Sequence, residues 1–469
     1  MVLGLASAEQ SDWVALEHDG RDITIKALAR EMCAAAGALQ HDDGVVAVSD
    51  PDPIAHTVAV LGAVAAGRTA MMVDPKQPDA LLAQVVEAAG ATTVIGREVT
   101  GIAHLGYDEL RAGAPIVPVA QPPEHIGSIL LTSGSTGIPK LVQRTRNADL
   151  HAAMCLRLAG FPIDPGDRHW LCVPYAAAPF LTLLMGSLLT RATVVIAPFD
   201  RAAVDSFLSE HRISSAYLVP TMLRLAREHA GLDGPGWRGL RALMTGGEQL
   251  DPATAEVLLA QFTQRVYCAY GMTEAPRLTQ ATFEEFAARP GTVGRTIPFR
   301  RVQIVEPGSE SPMPAGEEGE VLVGGPDLFT GYLGDGPVGE WHHTGDLGRL
   351  DADDYLYITG RASSVVKVGG NRVSTEEVSA VLREHEAVAQ AAVIALDDPT
   401  WTTRLEGFVV LRPGAVVGER ELLDWLGTRQ PAYKVPRVMH TLQELPVDSS
   451  GKVAQQTLHA LASAARPSE

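Results

Sequence analysis

The sequence has little with which to staple or coordinate a small fold. Its four cysteines, Cys33, Cys155, Cys172 and Cys268, lie far apart and form no C-x-x-C pair. Neither a zinc cluster nor a disulfide framework is indicated, and reduced, mostly buried thiols are expected. Basic residues are also in short supply: 38 Lys and Arg stand against 56 Asp and Glu, for a formal net charge of −18. That balance argues against a broad phosphate-binding face for nucleic acid. A small anionic ligand is still allowed, because a local loop of backbone N–H groups with one lysine can outweigh the global sign. Residues 2–6 are apolar but lack a basic flank and run into Glu9 and Asp12, so no secretory leader is expected and cytoplasm is the default location. There is no internal repeat and no low-complexity tract. Residues 171–190 carry no charge, yet Pro174 and Pro179 make them a poor continuous span. A buried strand ending near Pro174, a loop, and a core helix from about Leu181 fit better.

With 469 residues, 46% of them hydrophobic, the chain exceeds what one core usually organises, so a large domain plus a smaller unit is expected. Between residues 23 and 120, helical text such as 27–39 alternates with apolar runs at 44–48, 69–73 and 92–95. The rhythm resumes with strand-like runs at 170–173, 193–197, 216–219, 242–245 and 265–269. Such alternation is the mark of strand–helix units on mainly parallel sheets, here two layered α/β subdomains. From about 293 to 360 the text changes to short, glycine-punctuated strands, for instance 302–305, 319–323 and 355–359, which suggest a small β-barrel or antiparallel sheet. A compact α+β unit follows, with helices at 375–383 and 419–426 and strands at 391–395 and 408–411. The expected organisation is a large N-terminal domain over 1–360, a hinge at 361–364 and a small, mobile C-terminal domain over 365–469.

One stretch stands out chemically. An apolar run, 129–131, breaks into Thr132, Ser133, Gly134, Ser135, Thr136 and Gly137 and closes on Lys140. Such a loop can aim backbone N–H groups and hydroxyls at phosphate oxygens. It lacks the glycine spacing of the common P-loop, and Ser133 stands where a nucleophile elbow needs glycine. Further on come Gly246-Gly247-Glu248-Gln249, Tyr270-Gly271-Met272-Thr273-Glu274, Thr344-Gly345-Asp346, Gly360-Arg361, and Pro446 with Ser450-Gly451-Lys452. In this order the motifs resemble those of the adenylate-forming superfamily of acyl-CoA synthetases, peptide-synthetase adenylation domains and luciferases, over nearly the whole chain.

The resemblance implies an acid–AMP ligase that uses ATP and Mg²⁺ to make an acyl-AMP, then passes the acyl group to CoA or to the phosphopantetheine of a carrier protein. It implies that Lys452 bridges the acid and the α-phosphate, that Thr273 donates to that phosphate and that Glu274 holds the metal. Gly246, Gly247, Glu248, Tyr270, Gly271 and Met272 would lie on the adenine side, with Asp346 on the ribose and Arg361 at the hinge. A carboxylate attacking phosphorus brings two anions together, so a point charge such as a lysine suits the task. Asp346 can accept from two ribose hydroxyls, and Tyr270 offers a flat face to adenine.

The chain also departs from the family. Many members carry Lys or Asp just after Gly-Arg, where Ala362-Ser363-Ser364 stand here, so Ser363 is the pivot candidate. Lys367-Val368-Gly369-Gly370 resembles the stretch that meets the pantetheine arm, and Gly369 and Gly370 would permit close backbone approach. The segment implied to line the acid pocket includes Tyr175, Ala176, Ala177 and Phe180 and has no acidic residue, which disfavours a substrate with a free α-ammonium. An aromatic or short, mostly apolar acid fits best. Arg277 could reach a second anionic group on the substrate or serve in a surface ion pair. His342 and His343, adjacent on extended backbone, would point to opposite faces, which speaks against shared metal ligation. Alternatives are an amide-forming ligase, a diazo-forming ligase using nitrite, and a non-catalytic nucleotide-binding module. The acid, the acceptor and the oligomeric state are not legible.

Overall fold

The computed structural model describes residues 1, 4, 12–132, 139–262, 266–362, 365–368, 371–398, 402–447 and 453–464. The chain divides into two compact units. The first comprises Met1–Val302, Val323–His342 and Asp354–Leu356, and the second comprises Gln303–Leu322, His343–Asp353 and Tyr357–Glu469.

In the first unit, one sheet runs in the order Gly331–Tyr332, Leu141–Thr145, Ile126–Leu131, Thr69–Met72, Val45–Ser49, Ala91–Gly96, Ala103–Leu105. Its interior pairs are parallel, and the two pairs at the Gly331–Tyr332 end are antiparallel. A second run of strands is ordered Thr292–Thr296, Thr279–Thr282, Val266–Tyr270, Ala242–Gly246, Ser215–Tyr217, Arg168–Leu171, Thr193–Ile196, Val14–His18, Arg21–Thr24. It too is parallel in the middle and antiparallel at both ends. Parallel strands need long crossovers and cover on both faces, which explains the apolar runs that gave them away. The helix Pro53–Ala65 illustrates the cover: it is buried almost all round, and Asp52 caps it by accepting from the N–H groups of Ile54 and Ala55. The two layered α/β subdomains expected from the text are borne out.

The charge-free segment differs from expectation in its boundary. The strand is Arg168–Leu171, but the helix is Ala178–Leu189, starting ahead of the expected Leu181. Pro179 sits in its first turn, where no N–H is needed, so the proline opens the helix instead of delaying it. Among the described residues, no helix is long and apolar enough to cross a membrane.

The glycine-punctuated strands, most of whose residues belong to the second unit, run in the order Arg301–Val305, Gly319–Gly324, His342–Leu350, Leu356–Arg361. Farther along, Val388–Asp398 and Thr402–Leu411 form a long antiparallel pair, joined in parallel by Val438–Leu442. Helices Thr375–Arg383 and Glu419–Gly427 cover this sheet with Val378, Leu382, Leu422 and Leu426. Ser374 caps the first of them through the Glu377 N–H, and Glu376, Glu377 and Arg383 complement its dipole.

Candidate active site

The hydroxyl-rich loop is anchored on a hairpin. Ile126–Leu131 pairs antiparallel with Leu141–Thr145, the last register being Leu131 with Leu141, and the Thr132 N–H donates to the Lys140 carbonyl at 3.1 Å. Thr132 and Lys140 therefore face each other at the base of the loop. Ser133, Gly134, Ser135, Thr136 and Gly137 lie outside the described residues. Lys140 places its ammonium 4.4 Å from the centre of the Tyr332 ring, a cation–π contact. The Tyr332 hydroxyl in turn donates to Glu274 Oε1 at 2.6 Å. A lysine, a phenol and a buried carboxylate thus stand in a row, and Tyr332 is a member that no sequence motif named. Its only cue in the text was an aromatic residue beside Gly331.

The Thr273–Glu274 turn follows the strand Val266–Tyr270. Met272 and Ala275 exchange backbone hydrogen bonds at 3.2 and 3.1 Å, which puts Thr273 and Glu274 at the tip of a tight turn. Gly271 is obligatory there, since a Cβ would meet the Arg277 nitrogen at 2.2 Å. Glu274 is buried, and its carbonyl accepts from the Phe329 N–H at 2.8 Å. A single acceptor-only carboxylate suits Mg²⁺, which usually takes one or two carboxylates and leaves its remaining positions to phosphates and water. One strand over, Ala242–Gly246 ends at Gly246, whose hydrogen faces the Ala269 carbonyl at a distance no Cβ could share, and Gly247 follows at φ 88°. Glu248 is engaged locally, accepting from Thr221 N and Oγ1 at 3.1 and 2.7 Å at the start of the helix Pro220–Ala230.

Arg277 turns away from this tip. Its guanidinium donates to the Leu156 carbonyl at 3.2 and 3.3 Å and to Gln280 at 2.7 Å, at the C-terminal end of the helix Arg146–Leu158. The negative end of that helix is a natural seat for a cation. Burial lowers its pKa to about 9. The group offered by the sequence to a second substrate anion or to a surface ion pair is instead a helix-end contact in the interior.

In the segment that the sequence offered as an acid pocket, the Tyr175 ring lies 4.9 Å from the His56 ring and 5.2 Å from Phe180. Ala176 and Ala177 are half-buried, and Phe180 belongs to the main core. His56 is fully buried, and desolvation drives its imidazole down to about 3, so it is neutral at any ordinary pH. The Tyr175 phenol is pushed up to about 12, by burial first and then by Asp52, Asp74 and Asp50. These carboxylates act on Tyr175 from segments far away in sequence, so the local absence of acid read from the pocket segment is not an absence in space.

In the second unit, Thr344 donates to the Val321 carbonyl at 2.7 Å and accepts from the Asp346 N–H at 3.0 Å. That brace holds Asp346, whose buried carboxylate pairs with Arg361 Nε at 2.7 Å. His343 bonds Glu320 at 3.0 Å, while His342, which belongs to the first unit, packs there against Phe329 at 4.8 Å between ring centres. Ser363, Gly369, Gly370 and Lys452 lie outside the described residues.

Comparison with known proteins places this geometry. The family described as AMP-binding enzyme matches residues 5–333, and the AMP-binding enzyme C-terminal domain matches 377–452. A feruloyl-CoA synthase from Amycolatopsis sp is 31% identical over 357 residues, covering 72% of this chain and 70% of that protein. A 2-succinylbenzoate–CoA ligase from Bacillus licheniformis is 32% identical over 346 residues, covering 71% and 70%. Among solved structures, o-succinylbenzoate coenzyme A synthetase from Bacillus subtilis, in complex with its acyl-adenylate, superimposes with a TM-score of 0.87 at 24% identity and 97% coverage of both chains. The same enzyme with ATP and magnesium gives 0.85 at 23% identity, covering 98% and 99%. The expected fold class, a large α/β N-terminal domain followed by a small C-terminal one, is that of these structures. The chain belongs to the AMP-binding enzyme family of adenylate-forming ligases.

Proposed function

We propose that the chain converts a small aromatic or short apolar carboxylic acid and ATP into acyl-AMP and pyrophosphate, then transfers the acyl group to CoA or to a carrier-protein pantetheine. In the first step a carboxylate oxygen attacks the α-phosphorus and the bond to pyrophosphate breaks. In the second a thiolate attacks the acyl carbon and AMP departs. The observation that carries the reading is the row of Lys140, Tyr332 and Glu274 beside Thr273. It puts a cation, a hydroxyl and a metal-competent carboxylate beside the base of a phosphate-type loop.

Thr273 and Lys452 stabilise charge growing on the α-phosphate, Tyr270 and the Gly246–Glu248 stretch receive adenine, and Asp346 receives the ribose. Glu274 would help hold Mg²⁺, which when bound would supply positive charge to the phosphates. Tyr175, Ala176 and Ala177 offer the acid a surface of ring and methyl groups. The hinge at 361–364, with Ser363 as pivot, separates a domain over 1–360 from one over 365–469, and Gly369 and Gly370 meet the pantetheine arm. Support for CoA as acceptor comes from the relatives named as a CoA synthase and a CoA ligase. Cytoplasm remains the proposed location.

Pyrophosphate release from ATP and Mg²⁺ across a panel of aryl and short acyl acids tests the first step. Mass spectrometry with CoA, amines and nitrite as competing acceptors tests the second. Thioester is expected, and an amide or a diazo product in its place would overturn the acceptor assignment.

A further inference from the structure

Beneath the Thr273 turn lies an ion pair that no motif includes. Arg144, on the strand leaving the hydroxyl-rich loop, is almost fully buried. Its Nε donates to Asp149 Oδ1 at 2.7 Å. The other oxygen of Asp149 accepts from Ser128 Oγ at 2.7 Å, on the strand that enters the loop. Both arms of the loop are therefore tied to one carboxylate on the helix Arg146–Leu158. From the same guanidinium, Nη1 donates to the Asp327 carbonyl at 3.1 Å and, at a longer 3.4 Å, to the Thr273 carbonyl. The Asp327 side chain turns elsewhere, to an ion pair with Arg300.

The connections then close on themselves. Two residues after Asp327, the Phe329 N–H bonds the Glu274 carbonyl at 2.8 Å, and Thr330 N–H bonds the Gln143 carbonyl at 2.9 Å. Tyr332, which carries the Lys140 and Glu274 contacts, belongs to the same segment. Three pieces of chain that must be in register for phosphate chemistry thus meet at one planar fork: the loop arms, the Thr273 turn and the 327–332 segment. A guanidinium can serve such separated acceptors at fixed angles, whereas an ammonium acts as a single point.

We propose that Arg144, set by Asp149 and Ser128, is a positioning residue that holds the Thr273–Glu274 turn in register with the strands Ile126–Leu131 and Leu141–Thr145. The proposal rests on the adenylation reading above. Arg144 is buried behind the turn, so its effect is felt where ATP binds and reacts, not where the acid binds. A packing role alone would change stability, or would reduce all kinetic constants together.

The test uses the full chain. Arg144→Lys keeps the buried charge and loses the fork; it should raise the apparent KM for ATP about tenfold and lower kcat for adenylation about tenfold, while the acid KM moves less than about twofold. Ser128→Ala removes one hydroxyl from the Asp149 brace and should move the same constants in the same direction by about threefold. A folded Arg144→Lys with wild-type ATP constants would overturn the proposal, as would equal losses for ATP and acid. Should Arg144→Lys fail to fold, Ser128→Ala decides, and an unchanged ATP KM there overturns it. If the unaltered protein releases no pyrophosphate with any acid, the functional reading has failed; if it does and the variants match it, this inference alone has failed.

Discussion

Two strand ends of the first unit open on opposite kinds of interior. Beyond Arg168–Leu171 stands a group of rings, Tyr175, Phe180 and the uncharged His56, joined by ring contacts, with the carboxylates of Asp50, Asp52 and Asp74 acting on Tyr175 from outside the group. Beyond Val266–Tyr270 stands the Thr273–Glu274 turn, backed by the buried charges of Arg144, Asp149, Asp327 and Arg300. Phosphate is the same in every ATP, so the elements that meet it can be fixed by charged hydrogen bonds of strict geometry. An acid substrate differs between enzymes, and an apolar ring-lined surface can be reshaped at modest cost. On the function proposed above, rate belongs to the second region and choice of acid to the first.

That division can be broken at several points. The largest effect is expected from Lys452→Ala, which should cut adenylation about a hundredfold or more while sparing thioester formation from premade acyl-AMP. Single-turnover assays of the two half-reactions check this, and equal loss of both would show that the lysine has another role. A smaller and different effect is expected across the divide. Tyr175→Ala should shift the ranking of acids and raise the KM of the preferred one about tenfold, leaving the ATP KM within about twofold. If the ATP constant moved as much as the acid constant, the two regions would not be separable.

The smallest effect lies away from both. Glu17 accepts from His211 at 2.7 Å and pairs with Arg168. Burial pushes its carboxyl up, but the hydrogen bonds from Arg168 and His211 more than offset this and hold it below the usual glutamate range. A carboxylate with a lowered folded pKa adds stability that is present above its unfolded value and lost as pH falls through the folded one. Glu17→Gln should therefore melt about 2 °C lower than the unaltered chain at pH 7, with the gap closing below about pH 4. Adenylation should not change. A gap that persisted into acid, or a change in ATP use, would remove the distinction between structural and functional charge on which the comparison depends.

How much of this was legible follows the same division. The loop, the Thr273 turn and the Thr344–Asp346 stretch stand out in the sequence because, on the function proposed above, phosphate and ribose chemistry constrains short, contiguous stretches. The alternating α/β layers could be read because buried parallel strands leave continuous apolar runs. Arg144 and Tyr332 could not. Arg144 is separated from Thr273 by 129 residues and from Asp327 by 183, and nothing local marks a buried arginine as different from an exposed one. Asp50, Asp52 and Asp74 escaped notice for the same reason, since they follow strands of one sheet and Tyr175 follows a strand of the other, and only the fold brings them together. Arg277 misled by proximity: four positions past Thr273, it is carried by a backbone at φ 49° to the end of another helix.

The central claim is that ATP and an acid react here through the α-phosphate, and isotope exchange between labelled pyrophosphate and ATP measures that step without reference to the acceptor. With Mg²⁺ and a broad panel of aryl and short acyl acids, exchange is expected for at least one acid and none is expected when acid is left out. Folded protein that showed no exchange with any of them would contradict the account.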